Sequence, residues 1–493
     1  MFMNLIKYFV CSALLLPSLL RADVHQHFDA IKSDPNALYA FFKSMPKGGE
    51  LHYHLAGGAY PETMITLAGQ NQYCLNKKDF SVKKTETACY ETSMDKVMNQ
   101  TELYDRTLRA WSMKDFIPTP NKSGHDHFFE TFPKFLSIVS DFRPQLLAEV
   151  MERAAEQNEL YLEIMILPDN ASSAEFGQVA AKHDSFNEKR KALLADKAFQ
   201  SNIKLIVSET HRILREARKE LDCDNDTTKP ACNLVVKFQY YTLREQSLDN
   251  LFAQALCGFE AASQSNDLVG INLVQAEDGI ISLRDYRKQM AIFQYLHEHY
   301  PKIHIALHAG ELAPELVKPE DLRFHIHDAI FIGQAERIGH GVDIAYEHNA
   351  EELVKTMAKK PVPVEINLTS NKKILNIYGK YHPLNYYLRH QVPVVLSTDD
   401  EGVLRTDLTR EYVEAAIHHG LDYSTLKTIT RNALTYSFLP GQSLWENPRT
   451  GLAVQACQNL DSLTCKSLIA NSEKARLQWN LEKKLVEFEK RFK

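Results

Sequence analysis

The residues whose types and spacing could do chemistry are histidines and acids. His52 and His54 lie two apart in ELHYHL, where the two-residue period of a strand sends both imidazoles to one face. His308 and Glu311 fall in LHAGE, His340 in RIGHG, and Asp399 and Asp400 in LSTDD. In a chain with 20 histidines an H-x-H pair is a common accident, and two structural histidines would explain it equally well. His308 and Asp399 supply what the pair lacks, a third nitrogen and a carboxylate oxygen. That set suits Zn²⁺ with one position left open to water. Singly, Glu311 reads as a helix N-terminal carboxylate, His340 as a core histidine and Asp400 as a cap. Jointly, at three strand ends, those readings are poor.

Competing metal chemistries lack their residues. A bridged two-metal hydrolase needs a ligand such as a modified Lys in VGINLVQAEDG, which has none, so one metal is expected. There is no H-x-E with P-C-x-x-C and no H-E-x-x-H. His297, Glu298 and His299 have the wrong spacing and read as a solvated helix end.

Elements that could position these groups recur along the chain. Eight short apolar runs alternate with helical patterns: Glu50–Leu55, Leu160–Leu167, Leu234–Tyr241, Val269–Gln275, Ile303–Ala309, Arg337–His340, Val362–Thr369 and Val392–Ser397. Alternating βα units predict a parallel sheet, and eight strands close a TIM-type (β/α)8 barrel whose strand C-termini carry the chemistry. The stretch from Ile203 to Leu221 follows a helical period and is read as a helix. The barrel is expected over 50–439 with an insertion at about 69–125. Helical extensions are expected over 23–49, with a helix at Ala30–Ser44, and over 440–493, with a long helix at Glu473–Arg491. The triplet Asn367-Leu-Thr369 falls in the seventh run and is read as a chance glycosylation match.

These segments resemble the adenosine deaminase family, particularly its secreted growth-factor-like branch. The resemblance rests on MPKGGELHYHLAGG at Met45–Gly58, LHAGE at Leu307–Glu311, RIGHG at Arg337–Gly341 and LSTDD at Leu396–Asp400, in the family's order and spacing. It implies that His52, His54, His308 and Asp399 hold one Zn²⁺ per chain. It makes Glu311 the proton donor to a purine, His340 the group that handles the proton of the attacking water, and Asp400 a carboxylate that orients water and base. The implied reaction is hydrolytic deamination of adenosine or 2′-deoxyadenosine to the inosine product and ammonia. Two alternatives stay open: another 6-aminopurine compound as substrate, or a non-catalytic extracellular binding or signalling protein on the same fold.

The sequence also departs from the family. The acid that would meet the ribose 5′-hydroxyl is replaced by Ala56. Gln275 stands where a glycine meets purine N3, which makes it a substrate-binding candidate. Glu401 and Gly402 follow Asp400 where a proline is usual. The 27 residues between Ala22 and Glu50 are too few for the branch's dimerising N-terminal region.

Composition limits the partners. The 493 residues are 44% hydrophobic with a net charge of −6 and no basic block, which argues against a nucleic-acid partner. Residues 1–22 combine Lys7, an apolar run to Leu20 and a small residue at Ala22, the layout of a cleaved export signal. Export to a periplasm or the outside, with no membrane span after cleavage, is therefore expected. Six cysteines then pair locally as Cys74 with Cys89, Cys223 with Cys232 and Cys457 with Cys465. Cys257 is left as a buried thiol.

Overall fold

The computed structural model describes residues 23–90, 92–459 and 462–492, so the export signal expected over 1–22 lies outside the described residues. Eight parallel strands follow one another in chain order around a barrel: β1 (Glu50–His54), β2 (Tyr161–Ile166), β3 (Val235–Leu243), β4 (Leu268–Val274), β5 (His304–Ala309), β6 (Arg337–His340), β7 (Val364–Ile366) and β8 (Val394–Leu396). Helices return the chain between them, as the crossover of a parallel pair requires. The 24-residue helix Lys197–Glu220 accounts for the run from Ile203. β1 and β2 are buried along their whole length, which explains the near-continuous apolar character of β2; β1 instead buries Glu50, His52 and His54.

The barrel closes through three candidate ligands. Asp399 N–H donates to the His52 carbonyl at 3.2 Å and His54 N–H donates to the Asp399 carbonyl at 3.0 Å. The seam between first and last strands therefore fixes the backbone of three metal candidates at once. In register, His308 lies opposite Gly339, and Gly339 opposite Glu365. A Cβ on Gly339 would stand 2.7 Å from His52 Cε1, so only glycine lets that imidazole sit at this level.

Several expected strands are shorter than read, two of them because the chain turns into a helix. The run Val362–Thr369 yields a strand only over Val364–Ile366, and Leu368–Ile374 is a helix. The backbone turns at Asn367, whose carbonyl accepts from Asn371 N–H, while Thr369 N–H is held by Glu411 Oε2 at 3.1 Å. Asn367-Leu-Thr369 is thus a strand-to-helix junction. Similarly, Leu55 leaves β1 and opens the short helix Leu55–Gly58. A Cβ on Gly57 in that turn would collide with Asp400 Oδ1 at 1.8 Å.

Between β1 and β2 the chain builds a separate wall. Three short strands, Tyr73–Leu75, Val82–Lys84 and Thr92–Ser93, form an antiparallel sheet stapled by Cys74–Cys89. The helix Gly124–Phe129 starts on a capping box between Ser123 and Asp126. It leads into the kinked helix Phe132–Glu156, broken at Phe142 (φ −125°, ψ 27°) just before Pro144.

The terminal extensions pack on each other. The single N-terminal helix expected at Ala30–Ser44 is two, Val24–Ile31 and Pro35–Ser44, because Asp34 caps a new start at Pro35. Phe41 meets Phe488 of the C-terminal helix Glu473–Glu489 with ring centroids 5.0 Å apart. Arg431 anchors that helix through a two-pronged contact with Glu482.

All three cysteine pairs form disulfides, and Cys257 is a buried free thiol. Cys74 and Cys89 close a loop of sequence separation 15, for which chain entropy gives about 3 kcal/mol. Replacing both with Ser should lower the unfolding free energy by up to that amount in urea titrations. No change in midpoint would mean that the loop is already ordered in the unfolded chain.

Candidate metal centre and active-site cavity

The candidate residues meet where strands end. His52 and His54 close β1, His308 is the penultimate residue of β5, His340 ends β6, and Asp399 follows β8. One donor atom from each of His52, His54, His308 and Asp399 lies within 4.8 Å of the others. Asp399 Oδ1 is 3.4 Å from His52 Nε2 and 3.3 Å from His54 Nε2, and His54 Nε2 is 3.2 Å from His308 Nε2.

Neighbouring hydrogen bonds decide which ring nitrogens face inward. His52 Nδ1–H donates to Glu365 Oε2 at 2.7 Å, so its Nε2 lone pair points at the cluster, where it has no hydrogen-bond partner. His308 Nδ1–H donates to Asn272 Oδ1 at 2.8 Å; that atom must be the amide oxygen because it also accepts from Leu273 N–H. Ser370 Oγ–H donates to Asp399 Oδ2 at 2.8 Å and leaves Oδ1 for the centre. Lone pairs of two imidazoles and a carboxylate oxygen thus converge in a buried place, with His54 Nε2 alongside. Such a group repels itself unless a cation sits among it. Three nitrogens and one oxygen are a fitting set for a divalent metal.

The electrostatics agree. Burial alone would depress His52, but Asp399 and Glu365 outweigh it and raise it to about 9. The carboxylates there attract positive charge. Burial lowers His54 to about 4 and pushes His308 well below its usual value. The Asp399 carboxyl, despite burial, is held below the ordinary range by the His52 hydrogen bond and nearby imidazoles.

These ligands are oriented by a polar network through the barrel that the sequence reading missed. Arg337, 1% exposed, donates from Nε to Glu365 Oε1 at 2.6 Å and from Nη2 to Glu163 Oε1 at 2.5 Å. Gln239 Nε2 donates to the same Glu163 oxygen at 2.8 Å, and Asn272 Nδ2 donates to Gln239 Oε1 at 3.0 Å. An unbroken path therefore runs from His52 through Glu365, Arg337, Glu163, Gln239 and Asn272 to His308. The available signal was polar residues on one face of otherwise apolar strands, as in YLEIMI and VEI.

The remaining candidates line the same cavity of about 680 Å³. Glu311 lies in the loop after β5, not at a helix N-terminus, with its N–H donating to Glu277 Oε2 at 2.9 Å. Burial, then the charges of Asp399 and Glu277, raise its carboxyl well above the ordinary range. Asp400 is raised likewise by burial and by Asp399; it makes no side-chain cap, and its Oδ1 has no partner.

His340 ends a relay that starts from an unambiguous donor. Leu384 N–H donates to His382 Nδ1, so His382 carries its proton on Nε2 and donates to Asn371 Oδ1 at 3.0 Å. Asn371 Nδ2 is then the donor to His340 Nδ1 at 3.0 Å. The relay leaves His340 neutral with its proton on Nε2, and burial, first, depresses it to about 3. Gln275 also lines the cavity, but its side-chain oxygen is engaged by Glu245 N–H at 2.9 Å.

Backbone strain marks the same rim. Gln275 (φ 89°), His340 (φ 68°) and Asp399 (φ 68°) all adopt positive φ, a conformation non-glycine residues hold only when their surroundings impose it.

Fold and site together define an eight-stranded parallel barrel whose strand C-termini carry a donor set that could hold a metal ion. The family model described as adenosine deaminase matches residues 112–445, and the chain belongs to that family. It is 34% identical over 139 residues to an N6-methyl-AMP deaminase of Danio rerio, covering 28% of this chain and 37% of that protein. It is 39% identical over 140 residues to an adenosine deaminase of Klebsiella pneumoniae (strain 342), covering 28% and 39%. These matches thus span well under half of either relative's length. The structure of an adenine deaminase from Arthrobacter aurescens shares the fold at a TM-score of 0.53 and 16% identity, covering 80% of this chain and 94% of that one.

Removing one partner of a buried ion-pair network leaves uncompensated charge, at a cost of about 3–5 kcal/mol. Arg337→Met should therefore lower the unfolding free energy by that amount and weaken metal retention on dialysis. A variant with wild-type stability and metal content would show that Glu163 and Glu365 are neutralised in another way.

Proposed function

We propose that this chain is a zinc-dependent aminohydrolase that converts adenosine or 2′-deoxyadenosine to the corresponding inosine and ammonia. The observation that carries the reading is the convergence of His52, His54, His308 and Asp399 beside a cavity that the last three line together with Glu311, whose carboxyl is raised well above its ordinary range. His52, His54, His308 and Asp399 would hold one Zn²⁺, which supplies Lewis acidity toward a water oxygen near neutral pH.

The chain's own residues do the rest. Glu311, protonated because it is buried among like charges, donates to the purine ring nitrogen as water adds to C6. His340 meets that water as an Nε2–H donor and holds its oxygen. This narrows the sequence-based role: with Nδ1 engaged by Asn371, the imidazole positions the water instead of taking its proton. Asp400, also raised, presents a hydroxyl that can hydrogen-bond the base. The cavity wall excludes bulk water; of the two protons that the added water gives up, one passes to the amino group, which leaves as ammonia when its bond to C6 breaks, and the other returns to the Glu311 carboxylate as the ring carbonyl forms.

Another 6-aminopurine as substrate is favoured by one observation: Ala56 in the cavity wall offers no group to a sugar hydroxyl. The relatives' names, adenosine, N6-methyl-AMP and adenine deaminase, span the same range of compounds. The three disulfides support export to an oxidising compartment. Among the described residues no helix is long and apolar enough to cross a membrane.

Purified protein should deaminate at least one of adenosine, 2′-deoxyadenosine, adenine or AMP, followed by ultraviolet absorbance, and a chelator should abolish the change. A zinc-loaded protein inert toward all four would leave a binding protein on this fold. Glu311→Gln should keep the metal and lose about 10²–10⁴ in kcat. The pH profile has a definite sign. A raised carboxyl is fully protonated at acid pH and loses its proton as pH rises through the raised value. kcat/KM should therefore decline on the alkaline side with an inflection above the ordinary carboxylate range; a flat alkaline limb would remove Glu311 as the donor.

A further inference from the structure

Away from the metal cluster, the cavity wall contains one arginine and no lysine: Arg143. It is 6% exposed and sits in the kink of the Phe132–Glu156 helix. Pro144 has no N–H to give the Ser140 carbonyl, and Arg143 Nη1 donates there instead at 3.1 Å. Nη2 donates to the Leu167 carbonyl at 2.8 Å and to Asn170 Oδ1. Nε has no hydrogen-bond partner, and no carboxylate pairs with the guanidinium, among the described residues.

The acids whose charge reaches it are engaged elsewhere. Asp169 accepts from Ser173 N–H, Asn202 Nδ2 and Tyr240 Oη. Glu209 is gripped by Arg212 through two hydrogen bonds. Glu245, also in the wall, accepts from the N–H and hydroxyl of Ser282 at the start of a helix. An unpaired, buried guanidinium in a cavity wall that also carries Phe132, Val139 and Met165 has a desolvation cost that three carbonyl-type acceptors do not require, since a neutral donor could serve them. The same apolar surroundings make pairing with a ligand anion strong, because the field there is little screened.

We propose that Arg143 is an anion-binding subsite, and that the preferred substrate carries a phosphate or carboxylate at its sugar end, remote from the amino group. This rests on the deaminase reading, which places the base at the donor cluster and the sugar end in the rest of the same cavity, whose wall includes Arg143. It makes Arg143 a specificity residue: it selects the substrate and touches none of the reacting atoms.

Equilibrium binding separates this proposal from the activity. Calorimetric Kd values for inosine, inosine 5′-monophosphate and inosine 5′-carboxylate should be compared on zinc-loaded wild type, Arg143→Met and Arg143→Lys. Wild type should bind at least one anionic form about ten- to a hundredfold tighter than inosine, the scale of a charge-assisted hydrogen bond. Arg143→Met should erase that ratio and leave inosine binding unchanged, while Arg143→Lys should keep part of it. Which anion shows the gap tells phosphate from carboxylate. Equal wild-type affinities, a gap that survives Arg143→Met, or parallel losses for all three ligands would overturn the proposal, the last by making Arg143 a structural clamp. Binding of inosine alone would do so while leaving the deaminase reading intact. Binding of none of the three would overturn both.

Discussion

The site depends on one buried guanidinium. Arg337 holds Glu163 of β2 and Glu365 of β7 together in the barrel interior, and its Cζ lies 3.7 Å from the centroid of the Phe438 ring. Without it two carboxylates would face each other in a medium that screens them poorly, and at least one would take a proton. With it, burial notwithstanding, the Glu365 carboxyl is held below its ordinary range. It is then a charged acceptor that fixes the His52 ring with Nε2 inward. Glu163 passes the constraint to Gln239, Asn272 and His308. A pair of ligands on strands far apart in sequence is thus oriented by a single charge balance.

That arrangement costs the barrel its usual interior. The layers of branched apolar side chains that fill such barrels are interrupted here by Glu163, Gln239, Asn272, Arg337 and Glu365. Each side-chain polar atom of these five residues has a partner, which is the condition under which a buried network is tolerated. Strain is moved to the rim, where Gln275, His340 and Asp399 hold positive φ. The barrel supplies rigid positions, and the insertion after β1 supplies enclosure through His125, Phe128 and Phe132.

Much of this was legible in the chain itself. The eight strands follow from runs whose length and spacing admit few alternatives, and the ligand set from residue types at their C-terminal ends. The local cysteine pairs are likewise written in spacing. Less legible was Val362–Thr369, where apolar content reads as strand but Asn367 turns the chain into a helix that delivers Ser370 and Asn371 to the site. Arg337 and Glu365 lay inside the quoted segments without being singled out, because a charge in an apolar strand declares no partner until the register is known.

The sequence by itself determined the barrel, the donor atoms and the local cross-links, since these depend on hydrophobic period, residue chemistry and short separations along the chain. Only the tertiary structure decided which nitrogen of each imidazole faces the centre, that Glu311 and Asp400 are raised, that His340 donates, and that Arg143 goes unpaired. Those properties are set by partners far apart in sequence, such as His52 and Glu365, which are separated by 313 residues. The physical reason is that ionisation and tautomer respond to the local field and hydrogen bonds, which exist only once distant strands are brought together.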